Sequence, residues 1–241
     1  MVGATVDKQA LLSKCHLFRD LDDHDLDTLV AYARFQRYAA HEVIFRKGDP
    51  GYGLMAVLSG RVSISSPSEE GKEVILNIIA PGEVFGEIAL LDGKERTADA
   101  TAMETSELLV LDRRSFLSFL ERKPKFCVAL LNILCARIRR TSEQVEDALF
   151  LDLPSRLGKT LLALAESYGQ STPDGIRLEI KLSQRELGNL VGLTRESMNK
   201  QLSAWREKGL IKIDAGLITI CDIEAFQAEI YESWQQPPHR P

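Results

Sequence analysis

The chain is 241 residues long and 44% hydrophobic, with 30 Lys and Arg against 35 Asp and Glu, a formal charge of −5 at neutral pH. That length admits two domains, and the composition is that of an ordinary globular chain. The acidic total excludes a chain that is basic throughout, so any nucleic-acid surface has to be locally basic.

No apolar run approaches the ~20 residues of a membrane span. The opening MVGATVDKQALLSK has no long apolar core of the secretory kind. A cytoplasmic protein with no membrane partner is the expectation. Cys15, Cys127, Cys135 and Cys221 form no CxxC pair, which argues against structural zinc and a disulfide framework. His16, His24, His41 and His239 are dispersed, so a metal centre is not expected.

Residues 9–33 read as short helices, with Leu21, Leu26, Leu29 and Val30 on a helical spacing. From Phe35 to Leu111 the chain turns to short runs rich in Val and Ile, among them EVIFRKGD, GYGLMAVLSGRVSIS and KEVILNIIAPGEVFG. Gly48-Asp49-Pro50, Ser59-Gly60, Glu70-Gly71 and Pro81-Gly82 punctuate them. Short strands at regular turn spacing predict a sandwich, barrel or jelly roll. Inside this region, FGEIALLDGKERTADATA sets an acid, Glu87, nine positions before a cation, Arg96. Gly86 and Ala89 are small, and Thr97 adds a hydroxyl after the arginine. An internal salt bridge is one reading of the acid and the cation. The other is a ligand that needs an acceptor, a cation and bare backbone amides in one place.

After Pro124 the pattern is helical. Cys127, Leu131, Leu134, Ile138, Thr141, Val145 and Ala148 alternate steps of four and three, an a/d seam that predicts a helix pair. Packing on the chain's own domain is the alternative. Arg137, Arg139, Arg140, Glu143 and Glu146 read as solvated positions on the other faces. Thr141, followed by Ser142, interrupts the seam with a hydroxyl. Such a group needs a partner, either in its own helix or in a ligand.

From Leu151 a second domain is expected. PSRLGKTLLALAESYG reads as an amphipathic helix and GIRLEIKL as a strand. Ser183 with Glu186 three residues on makes a capping box. Gly192 allows a tight turn, and Thr194 caps a second helix with Met198, Leu202 and Trp205 as its inner stripe. Two helices joined by a short Gly turn predict a helix-turn-helix, and LIKIDAGLITI adds a two-stranded wing. Lys181 to Lys212 holds seven cationic residues against three acids, a local excess suited to a phosphate backbone.

Three segments in order, FGEIALLDGKERTADATA, RRTSEQVEDALFLDLPSRL and LSQRELGNLVGLTRESMNKQL, resemble the CRP/FNR superfamily of bacterial transcription regulators, and within it the cyclic AMP receptor proteins. The likeness covers the chain except its first few residues and the tail after about Cys221. It implies an α+β protein: a cyclic-nucleotide-binding β-roll of jelly-roll type over 1–123, a dimerisation helix and hinge over 124–150, and a winged helix-turn-helix domain with its tail over 151–241. It implies a homodimer on double-stranded DNA, with RNA polymerase as a further partner. Cyclic AMP is the expected allosteric effector, cyclic GMP a second nucleotide the site admits, and no metal, haem or iron–sulfur cluster is expected.

The resemblance also assigns roles. Gly86, Glu87, Ile88 and Ala89 open a short helical turn whose amides face the phosphate. Arg96 pairs with the phosphate oxygens, Glu87 accepts the ribose 2′-hydroxyl, and Thr97 donates beside phosphate or base. Ile64 and Leu76 line the wall. Thr141 and Ser142 meet the adenine, the serine from the other subunit. On the DNA side Arg195, Glu196 and Lys200 match the base-reading trio. Ser183, Gln184, Arg185 and Ser197 match positions that mainly touch phosphate, and Thr194 and Asn199 complete the set. Lys200 stands where arginine is usual. A point charge replaces a fork there, so half-site preference is expected to depart from the usual TGTGA-like element.

Other functions fit the scaffold less well. A ligand-independent regulator keeps the barrel and loses the effector. An iron–sulfur redox sensor needs a cysteine cluster near the N-terminus, where only Cys15 stands. A jelly-roll metalloenzyme lacks a His/carboxylate cluster and leaves the helix-turn-helix unexplained, so no catalytic residue is expected.

Overall fold

The computed structural model describes residues 11–235, with side chains as far as Tyr231. It divides into two compact units, Met1–Ile138 and Arg139–Pro241.

In the first unit, helix α1 (Asp23–Val30) begins where the Asp22 carboxylate accepts the Asp25 amide at 2.8 Å. Strands β1 (Ala33–Tyr38), β2 (Val43–Phe45), β3 (Gly53–Ser59), β4 (Val62–Pro67), β5 (Glu73–Ile79) and β6 (Val84–Phe85) follow. Then come α2 (Glu87–Asp92), β7 (Asp99–Ala102), β8 (Ser106–Asp112), α3 (Arg113–Arg122) and the long α4 (Pro124–Phe150), which runs on into the second unit. The strands form two four-stranded antiparallel sheets, ordered β1-β8-β3-β6 and β2-β7-β4-β5. ADATAMETSELLVLD, which reads as one run, is broken at Met103–Thr105 into β7 and β8.

Two cores result, and β3 serves both. Leu54 and Ala56 enter a core with Phe18 from the turns before α1 and Leu90, Phe116, Phe119 and Phe126 from the helices. Met55 and Val57 enter a second core with Val62, Phe85, Ala100 and Leu108 from the strands. Alternate side chains of a strand point to opposite faces, so a strand walled in on both sides reads as an unbroken apolar run.

In the second unit α5 (Leu153–Tyr168) starts with Asp152 accepting the Ser155 amide at 2.9 Å. Strands β9 (Gly169–Thr172) and β10 (Gly175–Leu178) follow, then α6 (Gln184–Val191), α7 (Arg195–Glu207), β11 (Ile211–Asp214), β12 (Leu217–Ile220) and α8 (Ile223–Gln235). The sheet order is β11-β12-β10-β9. The single strand expected from GIRLEIKL is thus the second arm of a hairpin, with Gly169 opening the first arm. Pro173-Asp174-Gly175, a recognisable turn signal, makes the turn between them. The wing is a two-residue hairpin in which Ala215 (φ 49°) and Gly216 (φ 85°) both take positive φ, the geometry that matches the twist of paired strands. Helix α8 closes the unit. Phe226 meets Trp205 edge-on, with ring centroids 4.9 Å apart. Ile230 lies over Gly158, where a Cβ would come within 2.3 Å of the Ile230 side chain.

Candidate functional site

Two buried opposite charges stand at the two ends of α2, Glu87 at its first residue and Arg96 beyond its last. Glu87 is 1% exposed and Arg96 5%. They do not form the mutual salt bridge that is their commonplace fate. Arg96 Nη1 donates to the Gly86 carbonyl at 2.8 Å and Nη2 to the Gly53 carbonyl at 2.9 Å. Its Cζ lies 4.2 Å from the centroid of the Phe45 ring. Arg96 Nε is buried and has no hydrogen-bond partner. Burial pushes the guanidinium below its ordinary pKa, while Glu87 and Asp49 oppose the shift.

Glu87 turns the other way, and its Oε1 lies against the Arg137 guanidinium of α4 as an ion pair. Arg137 Nη2 also donates to the Val84 carbonyl. Glu87 Oε2 accepts no hydrogen bond. Arg137 is therefore a site residue that the sequence reading placed on a solvated face. Its partner lies fifty positions away, and no local pattern announces the pairing.

The small residues have separate reasons. Gly86 takes φ 83°, and a Cβ there would sit 2.6 Å from Arg96 Nη1. No side chain caps α2 at this end, so its first amides stay available as donors. Ala89 is buried against Gly51, where an added Cβ would meet the Ala89 methyl at 2.2 Å. Its smallness is a packing requirement. Ile88 is 43% exposed, and Thr97 is exposed beside Arg96. Ile64 is half-buried against the core between the sheets. Leu76 is half-buried at a β-bulge, since Ile64 pairs with Asn77 and Ser65 with Ile75. Thr141 and Ser142 both lie on α4 within the second unit, and both are exposed.

The helix-turn-helix is built as its caps direct. The Ser183 hydroxyl accepts the Glu186 amide at 3.2 Å while the Glu186 carboxylate accepts the Ser183 amide at 2.8 Å. Gly192 takes φ 70° at the turn. Thr194 accepts the Ser197 amide at 3.2 Å and donates to the Ser197 hydroxyl at 3.0 Å, so both side chains serve the cap. Met198, Leu202 and Trp205 are buried beneath. Arg195, Glu196 and Lys200 are exposed on the outer face of α7, and Asn199 is half-buried. Ser183, Gln184, Arg185, Asn189 and Arg195 border one concavity. Two of the seven cations are engaged elsewhere. Lys212 holds Asp174 at 2.5 Å and Lys208 holds Glu229 at 2.6 Å.

Residues 35–123 match the cyclic nucleotide-binding domain and residues 155–229 the Crp-like helix-turn-helix domain. The chain is 30% identical over 214 residues to a CRP-like cAMP-activated global transcriptional regulator of Mycobacterium tuberculosis, a match that covers 89% of this chain and 96% of that one. It is 31% identical over 204 residues to the cyclic AMP receptor protein of Thermus thermophilus, covering 85% and 91%. This chain belongs to the CRP/FNR family of transcription regulators. It is similar in structure to the c-di-GMP responsive global regulator CLP of Xanthomonas campestris, with a TM-score of 0.75 at 25% identity over 83% of this chain and 100% of that one.

As a CRP/FNR regulator the protein binds DNA, and its chemistry is recognition. Among the described residues no group of His, Cys, Asp and Glu stands together as a metal site, and no helix is long and apolar enough to cross a membrane. Helix α4 carries an apolar stripe that differs from the expected seam by a small rotation. Leu131, Ile138 and Val145 are exposed as a seam requires, at 56%, 66% and 53%. Cys127 instead packs half-buried against its own unit's core, its thiol 3.7 Å from the Leu120 carbonyl. The outward stripe runs through Val128, Cys135 and Leu149.

Proposed function

We propose that this CRP/FNR regulator is a cytoplasmic homodimer switched by cyclic AMP, reading a near-palindromic DNA site and acting with RNA polymerase. The observation that carries the effector is the pair of buried opposite charges, each with an unused polar atom: Arg96 Nε and Glu87 Oε2. A buried polar atom without a partner is costly. A cyclic nucleotide supplies the two complements at once, a phosphodiester anion for Arg96 and a ribose hydroxyl donor for Glu87. The start of α2, which no side chain caps, favours the same anion. The names of the Mycobacterium and Thermus relatives point the same way.

The remaining assignments extend this reading. Ile64 and Leu76 wall the nucleotide, Ile88 and Ala89 contribute backbone, Thr97 donates beside the phosphate, and Thr141 and Ser142 accept from adenine across two protomers. The exposed stripe of α4 supports the dimer, because a monomer would leave that apolar face in water. Two-fold symmetry then calls for half-sites about one helical turn apart, roughly 34–36 Å. Arg195, Glu196, Asn199 and Lys200 read base edges, while Ser183, Gln184, Arg185, Thr194 and Ser197 orient the helices on phosphates. Differential affinity for two arrangements of the dimer is what lets the nucleotide act as a switch.

Titration calorimetry of the full chain with cyclic AMP is the decisive experiment, with cyclic GMP and cyclic di-GMP run in parallel. A saturable heat with cyclic AMP, lost in Arg96→Ala, is the expected result. No heat at millimolar cyclic AMP would leave a ligand-independent regulator, and tighter binding of cyclic di-GMP would reassign the effector. Sedimentation with and without DNA checks the dimer.

A further inference from the structure

Phe45 meets Arg96 through neither a hydrogen bond nor a charge. It stands on β2, opposite Ala100 of β7, with its ring under the guanidinium. A second ring, Phe85, lies 5.9 Å away at 36° and backs it within the core between the sheets. The backbone of Arg96 is tied to the same neighbourhood. Its amide donates to the Asp49 carbonyl at 2.8 Å, and its own carbonyl accepts the Gly48 amide at 2.9 Å.

We infer that Phe45 is the positioning residue of the anion seat, fixing the plane of the Arg96 guanidinium so that Nε faces the ligand. Two carbonyl acceptors, at Gly86 and Gly53, hold the two terminal nitrogens of the guanidinium. Two points define an axis, and a planar group can still rock about an axis. A ring face stacked on the plane removes that freedom, and the ring's negative face favours the cation there. Arginine is suited to this arrangement because its charge is planar and weakly hydrated, so it stacks without losing its donors. The side chain is ordered in advance, which lowers the entropy cost when an anion arrives. The inference rests on the nucleotide reading for its ligand, but the positioning itself is a property of the protein without ligand.

The test uses the full chain as wild type, Phe45→Leu and Phe45→Tyr, with arginine side chains labelled by nitrogen-15. The Arg96 signals are identified by their disappearance in Arg96→Lys. Without nucleotide, wild type and Phe45→Tyr should show a high order parameter for the Arg96 Nε–H, the mark of a fixed plane. Phe45→Leu should lower it while its denaturation remains a single cooperative transition. Cyclic AMP affinity should fall about ten-fold in Phe45→Leu, the size expected of a desolvated cation–π contact, and recover in Phe45→Tyr. Adenosine, which lacks the phosphate, should bind the two variants alike. An unchanged Arg96 Nε–H order parameter in Phe45→Leu would overturn the inference. So would an equal loss for adenosine, which would place the ring against the nucleoside instead. If wild type ignored cyclic AMP while the Nε–H order parameter still responded to Phe45, the nucleotide reading would fall and the positioning would stand.

Discussion

Arg96 is 5% exposed and bonded to two carbonyls, whereas Arg195 stands in solvent at the first turn of α7. Both are assigned to phosphate-bearing partners, yet their surroundings are opposite. In the first unit the protein has already removed the cation from water and held it with dipoles and a ring. In the second unit the cations keep their hydration until DNA arrives. The first arrangement suits a single small anion recognised by geometry, and salt should affect it little. The second suits a polyanion with a counterion atmosphere, where affinity falls steeply with salt.

The largest effect should come from the buried pair. Arg137→Ala leaves Glu87 almost fully buried without its ion-pair partner. Loss of one partner of a buried ion pair is strongly destabilising. Since Arg137 is itself about a quarter exposed, we expect on the order of 2–4 kcal/mol in chemical denaturation of the first unit. Adding Glu87→Gln to Arg137→Ala should recover part of it, and a double variant no more stable than the single would mean that the pair is held by something else.

Next in size is Arg96→Ala, expected to remove detectable cyclic AMP binding while circular dichroism shows the fold retained. The contrast with the second unit can then be drawn directly. Arg195→Ala should cost about 1–3 kcal/mol on a selected DNA site and relax preference at one base pair per half-site. Arg185→Ala should weaken all sequences alike and lower the salt slope by about one. If raising salt weakened cyclic AMP binding as steeply as DNA binding, the division into desolvated and solvated cations would be wrong. Lys200→Arg should move the selected half-site towards the usual family element, read by sequence enrichment.

The smallest effect should come from Asp174. Its ion pair with Lys212 holds the carboxyl below its ordinary range and the ammonium above its own. The pair therefore adds its modest share of stability above the unfolded carboxylate pKa, and loses it as pH falls through the depressed folded value. Asp174→Asn should free Lys212 and steepen the salt dependence of DNA binding by less than one unit, measured by mobility shift across a salt series.

What the sequence disclosed follows the range of the interactions. Caps, the Gly192 turn and the buried stripe of α7 depend on neighbours a few positions apart, and Ser183, Glu186 and Thr194 take the places their spacing predicts. The family likeness and the fold were legible for the same reason. Pairings across the chain were not. Arg137 with Glu87, Phe45 with Arg96, and Lys212 with Asp174 each join residues that share no local pattern. The seam shows the intermediate case. A heptad count assigns Cys127 to it, but only the packing of α4 on its own unit shows that Cys127 faces inward and Val128 outward.

The double burial of β3 has a consequence for how the first unit opens. Leu54 and Ala56 belong to one core and Met55 and Val57 to the other, so neither core can melt without uncovering the shared wall. The amides of β3 should then exchange with solvent only through the rarest and largest opening of that unit, later than those of β2 or β5. A disturbance entering on the helical side reaches the sheet-lined side through a strand of seven residues, with no loop between to absorb it.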